Sequence, residues 1–123
     1  MVADGRPPKH PEVLDTTPFD GGVRLRLAVP HALAWFAGHF PAEAVLPGYV
    51  QVGWAIAFAR AQFGFGDDPC ELHQVRFQRP VRPGARLELE LLRDAGRPAR
   101  VAWRLSEGGR PVGRGRMEFA AVP

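Results

Sequence analysis

One stretch constrains the fold more than any other. From Trp35 to Arg60 (WFAGHFPAEAVLPGYVQVGWAIAFAR) a histidine, two prolines and a glycine run directly into a long apolar segment. Pro41 lacks an N–H and drives Phe40 out of the α region, so Gly38-His39-Phe40-Pro41 is a constrained loop that carries His39. Pro47-Gly48 then signals helix entry, and no charge follows until Arg60. The spacing predicts a helix over 48–63, roughly 16 residues and about 24 Å long.

Tyr49, Val50, Val52, Trp54, Ala55, Ile56, Ala57, Phe58, Ala59 and Ala61 leave that helix almost no polar face. Such a helix is expected to be buried on nearly every side. It is too short, and too interrupted by Gln51 and Gly53, to span a membrane. A buried helix opening beside a loop histidine has a chemical use. Its unpaired N–H groups and positive dipole end stabilise a nearby oxyanion. Gly48 lets a substrate approach that backbone closely, and an imidazole such as His39 accepts a proton near neutral pH.

The remainder reads as strands. Glu12 to Thr17 is a short first strand. The turn Asp20-Gly21-Gly22 leads into Val23, Leu25, Leu27 and Val29, which alternate with Arg24 and Arg26. His31 to Phe36 makes a helical turn before the histidine loop. After the breaker-rich segment 64–69 come a strand from Leu72 to Val81, the turn Arg82-Pro83-Gly84 and a strand from Arg86 to Leu92. Val101, Trp103 and Leu105 mark the next strand, Glu107-Gly108-Gly109 a hairpin turn, and Pro111 to Ala121 the last strand, weakened by Gly113 and Gly115. The class is α+β, an antiparallel sheet around one helix.

With 123 residues, 46% of them hydrophobic, the chain makes one domain, read as residues 12–123 behind a flexible tail of residues 1–11. Cys70 is the single cysteine, which excludes an intrachain disulfide and leaves no metal-ligand spacing. Residues 1–13 hold no apolar core of a secretory leader, so a cytoplasmic protein is expected. The formal charge is +3, and Lys9 is the only lysine. The arginines look scattered through strands and turns, which argues against a nucleic-acid groove and is compatible with an acidic protein partner. His10 is read as a tail bystander and His73 as structural.

Two motifs carry a resemblance. Gly38-His39-Phe40-Pro41 followed by Val45-Leu46-Pro47-Gly48 resembles the GHFPxxPVxPG signature of the 3-hydroxyacyl-acyl-carrier-protein dehydratases, which have the hot-dog fold. Val75 to Gly84 (VRFQRPVRPG) resembles the family's VKFRRPVxPGD block, in the right order and at the expected distance. Gln51 and Trp54 are similar to the aryl-polyene branch. The resemblance implies a curled sheet around a central helix, no cofactor, a homodimer with shared active sites, and an acyl-carrier protein as partner. It casts His39 as the base that removes the α-proton of the thioester and the Gly48 N–H as the donor that polarises its carbonyl. Phe40, Pro47, Tyr49, Trp54 and Arg79 fall on the substrate side. For Tyr49 and Trp54 the alternative is core packing, and for Arg79 and Arg82 a solvated strand end.

One position departs from the pattern. The family carries Glu or Asp fourteen residues after the histidine, where this chain has Gly53. A positioned general acid contributes about 10²- to 10⁴-fold. Glu43 on the loop, or a proton returned by His39 itself, are the substitutes within reach; Gln51 is rotated well away on the helix, and its amide can hold a water but cannot donate a proton as a carboxylic acid would. The functional expectation is therefore dehydration of 3-hydroxyacyl thioesters, set against a non-catalytic acyl-carrier binding module and a hot-dog thioesterase.

Overall fold

The computed structural model describes residues 7–40 and 43–120. Strands β1 (Glu12–Phe19) and β2 (Gly22–Ala28) form a hairpin, and a 3₁₀ turn (Ala34–Phe36) leads into the histidine loop. Helix α1 (Gly48–Phe63) follows, then β3 (Glu71–Phe77), β4 (Arg86–Arg93), β5 (Arg100–Glu107) and β6 (Arg110–Glu118). All pairings are antiparallel, in the order β1-β2-β4-β5-β6-β3, so β3 is an edge.

Strict alternation builds the inner face. Val23, Leu25 and Leu27 on β2, Leu87, Leu89 and Leu91 on β4, and Val101, Trp103 and Leu105 on β5 are buried against α1. The hairpin between β5 and β6 closes on Gly108 and Gly109, both at positive φ, where glycine avoids the Cβ clash. Helix α1 stops at Gly64, whose left-handed backbone donates its N–H to the Arg60 carbonyl at 2.8 Å.

Four expectations change. Helix α1 is buried on one side only, through Val50, Gln51, Trp54, Ala55 and Ala59, while Tyr49, Gly53, Ala57 and Ala61 are exposed. A single curled sheet covers one face of a helix; Val52, Ile56, Phe58 and Phe63 still pack against the core at its margins, and Tyr49, Ala57 and Ala61 are left exposed.

The tail expected over residues 1–11 is tied down in its described part. The Pro8 carbonyl accepts the Ala34 N–H at 2.7 Å, the Lys9 carbonyl accepts the Trp35 and Trp54 indole N–H groups at 3.2 Å each, and Pro11 is buried.

β3 ends at Phe77 rather than Val81, because the Gln78 and Arg79 N–H groups both turn to the Val112 carbonyl. The weakness expected at Gly113 and Gly115 is not a break in β6. Gly113 admits the Gln51 amide and Gly115 the Trp103 indole; one bulge lies in β6 beside Gly113, where Val112 is skipped between the Leu105–Gly113 and Ser106–Pro111 pairs, and another across from Gly115, where Gln74 (φ 53°) and Val75 share one partner position.

Candidate active site

The two sequence motifs meet. The Leu46 N–H donates to the Val81 carbonyl at 2.8 Å, which hangs the end of the histidine loop on the second motif. Buried Ala44 and Leu46 anchor the same loop to the core. At the next step, the Phe77 ring lies so close to Gly48 that a Cβ there would stand 2.6 Å from it. Together Leu46, Gly48, Gln51, Phe77, Gln78, Arg79 and Pro80 line a cleft of about 320 Å³.

The helix end in this cleft is open. Pro47 occupies the N-cap position with no side-chain hydrogen bond, and the first turn of α1 holds no acidic residue. Among the described residues, then, no N-cap side chain and no first-turn carboxylate answers the positive end of the dipole, an arrangement suited to a ligand oxygen. The small size of Gly48 is taken up by Phe77 on one side, so close approach there involves a half-exposed ring that borders the cleft.

His39 is exposed, nine residues ahead of Gly48, with its backbone N–H on the Phe36 carbonyl at 3.1 Å and Gly38 at φ 82° before it. Phe40 is exposed as well, and its carbonyl receives the N–H groups of Glu43 and Ala44 at 2.9 Å each. Pro41 lies outside the described residues. Tyr49 is 68% exposed and packs edge-on against Trp35 at 5.8 Å. Trp54 belongs to the core, bound through its indole N–H to Lys9. Within the chain, Trp54 is thus packed in the core and Tyr49 is not.

Gly53 is on the far side of the helix. Two residues along α1 rotate the direction by about 200°, so Gln51 points at the sheet and Gly53 at solvent, in a separate hollow with Ile56, Ala57, Arg60, Asp68 and Leu72. Gly53 has nothing within 4 Å of a would-be Cβ. Within one chain the family's acid position does not share the Gly48 cleft.

A residue that the sequence reading undervalued stands in the cleft instead. Gln51 is 3% exposed, and its Oε1 has no hydrogen-bond partner among the described residues. Its signal in the sequence was a single amide inside an otherwise apolar run. The carboxylate whose titration is most clearly displaced, Glu118, is elsewhere. A hydrogen bond from Arg100 at 2.8 Å holds it below the usual range against the opposing effect of desolvation, with help from Arg97. Among the described residues no group of three or more histidine, cysteine or carboxylate side chains could hold a metal ion, and no helix is long and apolar enough to cross a membrane.

A family model described as ApeI dehydratase matches residues 16–116, which includes both motifs and all of α1. The chain belongs to the ApeI-like dehydratase family. Within that family's fold, the dehydratase heterocomplex ApeI:P from Xenorhabdus doucetiae superposes with a TM-score of 0.77 at 26% identity, over 88% of this chain and 96% of that one. An uncharacterized protein from Erwinia carotovora subsp. atroseptica gives 0.72 at 30% identity, over 88% and 94%. A 3-hydroxyacyl-[acyl-carrier-protein] dehydratase FabZ of Bordetella petrii is 39% identical over 71 residues, 46% of each protein. The match to the curated relatives spans about half of their length. The hot-dog fold expected from the two motifs is the fold of this chain.

Proposed function

We propose that the protein is a cytoplasmic dehydratase that converts 3-hydroxyacyl thioesters on an acyl-carrier protein to 2-enoyl thioesters, in fatty acid or polyene-type lipid synthesis. The observation that carries this reading is the uncapped start of α1 at Gly48, placed in a cleft built from both family motifs. His39 takes the α-proton, and the electron pair left behind moves toward the thioester carbonyl. The Gly48 N–H and the helix dipole stabilise the oxygen as it becomes negative. The C3–O bond then breaks, the double bond forms, and the hydroxyl leaves as water with the proton returned by the imidazolium.

The same reading includes a homodimer. The exposed apolar face of α1 around Gly53 and Ala57, with Leu72 beside it, and the open edge of β3 support edge-to-edge pairing with a second copy. In such a dimer Gly53 is the position that faces the shared site, and it brings no carboxylate. That absence favours a second reading, a module that binds acylated carrier without turning it over.

The experiment is direct. Purified protein with a 3-hydroxyacyl carrier substrate is expected to release enoyl product, and His39→Ala to abolish it while leaving thermal unfolding unchanged, since His39 is exposed. Binding of the acylated carrier with no product at any chain length replaces the enzyme reading with the binding module. Appearance of activity only in Gly53→Glu identifies a dehydratase that has lost its acid.

A further inference from the structure

The arginines that looked scattered along the chain are gathered by the sheet. Arg104 on β5 stands directly opposite Arg114 on β6, and Arg114 directly opposite Arg76 on β3. In the other direction the same row continues through Glu90 on β4 to Arg24 on β2. Directly opposite residues share a face, so the row lies on the outer surface of the sheet, away from α1.

Charge is segregated along it. The acids sit toward β1 and β4, where Asp15 meets Arg26 at 2.7 Å and Glu90 meets Arg24 at 3.0 Å. Toward β3 the row itself holds none, and the acids on that side, Glu118 on β6 and Glu71 on β3, lie off the row and are engaged by Arg97, Arg100 and His73. Glu90 lies 4.0 Å from Arg104, and Arg76, Arg114 and Arg116 form no ion pair among the described residues. These four arginines, with Gln74, line a hollow of about 440 Å³, and the Arg116 Nε is buried with no hydrogen-bond partner. Like charges directly opposite across strands destabilise a sheet, and an anionic partner removes that repulsion.

We propose that this outer face, centred on Arg104, Arg114 and Arg76, docks a helix of the carrier protein that presents carboxylates along one side. The proposal rests on the carrier-dependent reading above and locates the partner. Adjacent strands are about 4.8 Å apart, and helix side chains at i, i+3 and i+4 are about 5–6 Å apart, so the guanidinium row and an acidic helix face match in pitch. Guanidinium forks also suit paired contacts with carboxylates. No Phe, Tyr or Trp stands in the row to stack a base, which disfavours a nucleic acid. A second hollow of about 460 Å³, which on its far side takes in Glu88 and Glu90, joins Arg104 and Arg114 to Gln78, and Gln78 also lines the Gly48 cleft, so the docking face runs up to the site it would serve.

The test compares one acyl group in two forms, on the carrier protein and as its N-acetylcysteamine thioester. The double variant Arg104→Glu with Arg114→Glu is expected to lose about tenfold or more in kcat/KM on the carrier substrate, mainly through KM, and to keep its rate on the small thioester. Raised salt should weaken the wild-type protein toward the carrier form only. Arg110→Glu, exposed in the β5–β6 hairpin, controls for net charge. Equal loss on both substrates, or loss on neither, overturns the docking face. If the wild-type protein turns over neither form, the dehydratase reading fails, and calorimetric titration with acylated carrier decides docking alone. Binding that the double variant loses supports it. Absent binding, or capture of an RNA oligonucleotide instead, overturns it.

Discussion

Gln51 on α1 reaches Gly113 on β6 so closely that a Cβ at position 113 would stand 2.5 Å from the Gln51 Oε1. The same relationship recurs two residues along the strand, where a Cβ at Gly115 would stand 2.6 Å from the Trp103 Nε1. Both polar atoms are buried without a hydrogen-bond partner among the described residues. The pair of glycines in β6 is therefore a packing requirement of the inner face, set by what the helix and β5 project toward it.

Alanine at these two positions should have unequal effects. The Trp103 indole is rigid and 0% exposed, so Gly115→Ala is expected to destabilise by about 1–3 kcal/mol. The Gln51 amide ends a flexible side chain, so Gly113→Ala is expected to cost less. Urea unfolding of both variants measures this, and the reverse order would contradict the packing argument.

Gly48 and Phe77 should be coupled. A Cβ at 48 meets the Phe77 ring at 2.6–2.8 Å, and that ring is half exposed and able to move. A double-mutant cycle of Gly48→Ala and Phe77→Ala is expected to give a stability interaction energy of about 0.5–3 kcal/mol. If Gly48 only admits Phe77, activity lost in Gly48→Ala returns in the double variant. Persistent loss means the substrate itself needs the glycine.

Gly53 lies mid-helix, exposed, with open space around it. Gly53→Ala is expected to stabilise the chain by about 0.8–1 kcal/mol, the usual difference in helix propensity. Thermal unfolding reports it. A loss of stability instead would mean that a second chain packs tightly against that face.

Glu118 gives the acid limb of stability its sign. Its folded-state pKa is lowered, first by the Arg100 hydrogen bond, so its contribution is present above the ordinary glutamate range and drains as pH falls through the lowered value. Glu118→Gln is expected to reduce stability at neutral pH, and its difference from the parent is expected to shrink as pH falls through that lowered value, below which both side chains are neutral. A constant difference across that fall in pH would remove the ionic explanation.

The parts of the site legible beforehand were those encoded by neighbours in sequence. Pro47 and Gly48 mark a helix start whatever surrounds them, and α1 begins and ends where the punctuation placed it. Alternation in β2, β4 and β5 likewise named the inner face correctly. Trp54 was harder to read, because an apolar side chain on a helix suits a channel, a seam or a core equally, and the Lys9 carbonyl that holds it is 45 residues away.

Local order along the chain was thus enough to specify one helix, six strands, their turns and a histidine loop abutting a helix N-terminus. Backbone sterics and side-chain alternation act between near neighbours, and they survive in any tertiary context. Strand register and helix facing were decided only by the folded arrangement. Pairing of β5, β6 and β3 turned separate arginines into a row, and the single sheet covered one side of α1, setting Gln51 inward and Gly53 outward. Those outcomes depend on which distant segments share an interface, and a linear pattern does not carry that information.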